Sequence, residues 1–220
     1  MKLSQITCMD YMKKNKYLFI SILGCALIIL SGNIQANYKL GKDFGSLARP
    51  LPVKQDGVVE VIEVFWYGCG HCFNLAPAVS SWSKKKDSSV NFRKMPVTWG
   101  PVHQLHAKLF YTIEALGIGE TGHTAVFTAI HKEGNFLSSD GAILDFLEKL
   151  GMDRSETIKY MNSFSVRQKV KRAIEISKQF KVTATPMMFV DGQFRVEAKG
   201  GSSKMLKVVD HVIELQKPIS

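Results

Sequence analysis

A strand that ends on two cysteines constrains this chain most. Val58 to Tyr67 (VVEVIEVFWY) is β-branched and aromatic, the composition of a buried strand. Gly68-Cys69-Gly70-His71-Cys72 breaks it. From there to about Ser83 the sequence puts Phe73, Ala76, Val79 and Trp82 on or near one face of a helix, which Pro77 is expected to kink. Lys84-Lys85-Lys86-Asp87 reads as a solvated turn and Val90 to Val97 as a second strand. Strand, helix and strand over roughly 40 residues form a βαβ unit, with parallel strands and a right-handed crossover. The class is α/β, with the cysteine pair at a strand-to-helix junction.

Beyond Val97 the periodicity turns helical. Leu105, Leu109, Ile113 and Leu116 recur at helical spacing, and Gly117 is placed to end the helix. His123 to Lys132 reads as a second helix, with Val126, Ala129 and Ile130 inward. Asp140 is expected to cap a third that buries Ile143, Leu147 and Leu150, and Asp153 with Glu156 resembles a capping box for a fourth. A longer helix from about Val166 to Phe180 aligns Val166, Val170, Ala173, Ile174 and Ser177. Met187 to Val190, the Asp191-Gly192 turn and Gln193 to Ala198 form a β-hairpin. Ser202 or Ser203 is expected to cap a last helix through Gln216 that buries Leu206, Val209 and Ile213. The order is βαβ, a helical insertion, a long helix and ββα.

The N-terminus reads as an address. Tyr17 to Leu30 (YLFISILGCALIIL) carries no charge, but a spanning helix needs roughly 20 apolar residues. Lys13, Lys14 and Lys16 precede it and Ile34-Gln35-Ala36 follows, so residues 1–36 are expected to be a cleaved secretory signal peptide. Met9 and Met12 are alternative starts. A lipoprotein cut before Cys25 and an uncleaved anchor are the other fates open to this segment. The chain carries 29 basic and 19 acidic residues, net +10; without Lys2, Lys13, Lys14, Lys16 and Asp10 it carries 25 and 18, net +7. The basic residues are dispersed and no nucleic-acid motif accompanies them, so the charge is read as solubility and no nucleic-acid partner is expected.

Export also removes Cys8 and Cys25, leaving Cys69 and Cys72. A bridge between them closes almost no loop and stabilises little, so redox chemistry or metal binding is the reading. Haem attachment of the c type needs His directly after the second cysteine, where Phe73 stands. Zinc needs roughly four ligands; no second cysteine pair exists, and His103, His106, His123, His131 and His211 are scattered, with His103 and His106 read as surface residues. No metal is expected. At a helix N-terminus the Cys69 thiolate is stabilised by free N–H groups and the helix dipole, and His71 is expected to push the same way. A stabilised thiolate is a good leaving group, which makes the disulfide oxidising. Cys72 is expected to be more buried and to act as the resolving thiol.

Trp66-Tyr67-Gly68-Cys69-Gly70-His71-Cys72 resembles the redox motif of the thioredoxin superfamily, and the helical insertion and signal peptide narrow the resemblance to the DsbA type, the periplasmic thiol:disulfide interchange proteins. It covers essentially all of 37–220. It implies a thioredoxin fold with an inserted all-helical subdomain: 37–98 the first part of the thioredoxin-like domain, 99–164 the insertion, 165–220 the second part. It implies Cys69 as nucleophile, Cys72 as resolving cysteine, and Glu63 as a buried acid that shuttles a proton. Thr185-Pro186 corresponds to the cis-proline loop, which with Gly70 faces an extended substrate. No cofactor is implied beyond the redox-active disulfide. The implied partners are reduced, unfolded or partly folded exported proteins and a membrane reoxidant of the DsbB type, and the implied state is a monomer. The Gly-His pair between the cysteines, and Thr185 where valine precedes the proline in the best-known member, leave disulfide isomerase or reductase activity as the alternative. A binding or chaperone-like protein with incidental cysteines is the reading from a different class.

Overall fold

The computed structural model describes residues 38–52 and 57–217; the expected signal peptide lies outside them. In chain order the elements are β1 (Gly45–Ser46), β2 (Val59–Phe65), α1 (Gly70–Ser83), β3 (Val90–Pro96), α2 (Pro101–Ala115), α3 (Gly119–His131), α4 (Asp140–Lys149), α5 (Arg154–Met161), α6 (Phe164–Gln179), β4 (Met187–Val190), β5 (Phe194–Glu197) and α7 (Ser202–Gln216). The strands form one sheet in the order β1-β5-β4-β2-β3, so β1 and β3 are its edges. β2 pairs in parallel with β3 and antiparallel with β4. With strands on both sides and a core on each face, β2 has no solvated side, which explains its almost unbroken apolar run.

Alternation along β2 sends Val59 and Val61 to one core and Ile62 and Val64 to the other. The first is closed by Leu75 and Val79 of α1 and by Met205, Val209 and Ile213 of α7. The second is closed by Ala173 and Ile176 of α6, with Phe180. A third cluster gathers Leu109, Ile113, Val126, Ile143, Leu147 and Met161 from α2 to α5 and takes in Phe65, Tyr67 and Cys72. The core of the helical insertion is therefore continuous with the residues around the cysteine pair.

Several local expectations hold. Asp153 caps α5, its carboxylate accepting from the Glu156 N–H at 2.7 Å. Leu116 ends α2, and Gly117 follows at φ +73°, a conformation that favours glycine. The turn between β4 and β5 has Asp191 and Gly192 both at positive φ, the signature of a tight hairpin.

Others are revised. Ser139 caps α4 in place of Asp140, because Ser139 has the extended backbone of a cap and its hydroxyl accepts from the Ala142 N–H at 3.1 Å. Leu150 lies past the last inward turn of α4 and is 40% exposed. α3 begins at Gly119, four residues before His123. In α6 the buried residues are Val166, Ala173, Ile176 and Ser177, with Val170 and Ile174 half-buried. Gly201 caps α7 through its backbone at φ +88°, and Ser202 is already helical. Pro77 lies inside α1, where the sequence placed it.

Candidate active site

β2 stops at Phe65, and the chain turns through Trp66, Tyr67 and Gly68 before α1. The Cys69 N–H closes this turn on the Trp66 carbonyl at 3.1 Å. Gly68 fits because Trp66 folds over it: a Cβ there would come within 2.5 Å of the indole. Cys69 is the N-cap of α1, with extended backbone (φ −88°, ψ 114°), and its sulfur accepts from the Cys72 N–H at 3.3 Å. Both cysteines are reduced, Cys69 half-buried and Cys72 only 1% exposed. Gly70 opens the helix as an exposed residue with nothing within 4 Å of a Cβ.

The two thiols are driven in opposite directions. The hydrogen bond from Cys72 is the largest cause that brings the Cys69 thiol down, to about 5; burial opposes it, and Thr185 with the main-chain N–H groups of Cys72 and His71 adds to it. Donating that bond, and being buried, pushes the Cys72 thiol well up. One sulfur is thus prepared as a thiolate and leaving group, the other as a proton carrier. The sequence reading gave His71 a side-chain role, but its imidazole is exposed and its contribution to the Cys69 sulfur comes from the main chain.

The segment before β4 faces the same sulfur. Cys69 Sγ lies 3.6 Å from the Thr185 carbonyl oxygen, and the Thr185-Pro186 bond is cis. A cleft of about 500 Å³ opens alongside, lined by His71, Asn74, Thr185, Pro186 and Met187 among others. Glu63 sits deeper in β2, 3% exposed, between Lys94 of β3 and Met188 of β4. Burial raises its carboxyl to about 7; Lys94 opposes that rise and Glu120 reinforces it. Lys94 Nζ donates to Glu120 at 3.2 Å, so charge continues from the buried acid toward the start of α3.

The sequence reading missed three histidines. His106 is fully buried, contrary to its expected surface place. Its Nδ1 accepts from the Trp66 indole N–H and its Nε2–H donates to the Phe136 carbonyl, both at 3.1 Å, which fixes a neutral ring. His123 is buried between the Tyr67 hydroxyl and Glu114, with Nε2 2.7 Å from Oε1. His131 Nε2–H donates to the Tyr67 carbonyl at 2.7 Å. The available signal was spacing: His123 and His131 stand eight residues apart, about two turns, around the apolar Val126, Phe127 and Ile130.

Residues 100–212 match the profile of the DSBA-like thioredoxin domain. The thiol:disulfide interchange protein DsbA of Pseudomonas aeruginosa is 36% identical over 183 residues, 82% of this chain and 87% of that protein. The Burkholderia cepacia protein of the same name is 39% identical over 156 residues, 70% and 74% of the two chains. The chain belongs to the DsbA family. The crystal structure of Pseudomonas aeruginosa DsbA aligns with a TM-score of 0.77 at 36% identity, covering 81% of this chain and 94% of that one. Reduced DsbA1 from Neisseria meningitidis aligns with a TM-score of 0.71 at 25% identity, over 82% and 98%. This DsbA-family chain has the thioredoxin fold with a helical insertion and is a thiol:disulfide oxidoreductase.

Proposed function

We propose that the chain is an exported dithiol oxidase that donates a Cys69–Cys72 disulfide to reduced, folding proteins. The reading is carried by the asymmetry of the two thiols, with Cys69 held near 5 and Cys72 pushed up and buried. A substrate thiolate attacks the Cys69 sulfur, the Cys69–Cys72 bond breaks, and its electron pair passes to the Cys72 sulfur. Cys72 then takes a proton, for which Glu63, titrating near neutrality, is the carrier. A second substrate thiolate attacks the substrate sulfur of the mixed disulfide, and Cys69 leaves as the thiolate that the start of α1 stabilises. Two electrons pass from the substrate dithiol to this pair, which is the whole redox group and needs no cofactor.

The Thr185-Pro186 loop and Gly70 flank the attacked sulfur and offer main chain to an extended substrate. The compartment is the periplasm, reached through the signal peptide; among the described residues no helix is long and apolar enough to cross a membrane. A membrane protein of the DsbB type reoxidises the pair, and the chain acts as a monomer. The test is oxidation of a reduced two-cysteine peptide. Cys69→Ser should abolish it, and so should Cys72→Ser, since neither variant can form the disulfide that is donated. Peptide oxidation that survives Cys69→Ser would overturn the reading.

A further inference from the structure

Tyr67 lies past the end of β2, where the ladder no longer serves its carbonyl, yet the residue is fully buried. A buried carbonyl requires a donor, and His131 of α3 supplies it at 2.7 Å. The same imidazole stacks on Phe73, with centroids 4.7 Å apart and planes 11° from parallel. Tyr67 stands two residues before Cys69, and Phe73 directly follows Cys72. One side chain of the insertion therefore holds both ends of the redox turn. His106 and His123 brace the same segment through the Trp66 indole and the Tyr67 hydroxyl.

We propose that His131 is a positioning residue for the Cys69 thiolate, locking Tyr67 and Phe73 so that the main-chain donors at the start of α1 stay aimed at the sulfur. Those donors are the Cys72 N–H, at 3.3 Å, and the His71 N–H. Hydrogen bonds weaken steeply as angle and distance degrade, so slack in the turn weakens both together. His131 bonds a carbonyl and a ring, and it acts through them. The proposal rests on the oxidase reading for its effect on turnover, whereas the Cys69 titration is independent of it.

The experiment is a titration of Cys69 in the fully reduced protein, followed by the ultraviolet absorbance of the thiolate. His131→Ala should raise the Cys69 pKa by about one pH unit and shift the equilibrium constant with glutathione about tenfold. His131→Gln, whose amide can donate to the Tyr67 carbonyl, should recover most of the change. Leu147→Ala, in the same apolar cluster, should lower stability and leave the Cys69 pKa in place. An unchanged pKa in folded His131→Ala would overturn the proposal. So would an equal shift in Leu147→Ala, which marks general loosening. If His131→Ala does not fold, Phe73→Leu removes the stack alone; it should raise the pKa by a smaller amount, and no rise would overturn the proposal. Failure of the oxidase reading shows separately, as peptide oxidation by Cys69→Ser.

Discussion

Folding lowers the Cys69 thiol from 9.0 to about 5, so the reduced chain sheds a proton on folding anywhere between those values. Its stability therefore rises with pH through that window, is complete above pH 9, and is lost as pH falls through 5. At pH 7 this amounts to at most about 2.7 kcal/mol; the sulfur is half-exposed, which reduces the figure to about 1–2 kcal/mol. The disulfide form has no such thiolate. The reduced protein should resist urea better than the oxidised protein at pH 7, with the gap closing near pH 4, as urea midpoints of both forms would read. Glu63 has the opposite sign. Burial raises its carboxyl from 4.5 to about 7, so stability is complete below 4.5 and lost as pH rises through 7. Glu63→Gln should stabilise the chain by about 2–3 kcal/mol at pH 8 and by almost nothing at pH 4, measured by urea unfolding at the two pH values.

Elements whose signals are local were legible in the sequence. β2, α1 and β3 announce themselves by β-branched runs around Gly68-Cys69-Gly70-His71-Cys72, and the Asp191-Gly192 turn fixes the β4–β5 hairpin within eleven residues. The strand-to-helix placement of Cys69 followed from the same pattern, whereas the burial of Glu63 was implied by the family resemblance. What depended on packing between distant segments was not legible. β1 is only two residues long and exists because β5 pairs with it. His106, His123 and His131 became partners of Trp66 and Tyr67 only when α2 and α3 settled against the end of β2. The insertion core carries stability of its own, with Leu147 completely buried in it. Leu147→Ala should cost about 2–5 kcal/mol, read by urea unfolding.

At the scale of the whole molecule, the three apolar clusters meet around β2, and the cysteine pair lies where the sheet core gives way to the insertion core. Among the described residues the sheet has one long outer strand, the seven residues of β3. Charge is fastened along it: Arg93 pairs with Glu60 at 3.0 Å and Lys94 with Glu120 at 3.2 Å, and Pro96, which lacks an N–H, closes the strand. Free edges recruit other strands unless charge or proline blunts them. Arg93→Ile should therefore increase light scattering on warming while leaving peptide oxidation unchanged. On the proposed function, this protein meets unfinished polypeptides at every turnover, and these bring strands in search of a partner. On that reading, a blunted β3 keeps such chains from seeding on the flank of the sheet and leaves the cleft beside the sulfur as the place where they dock.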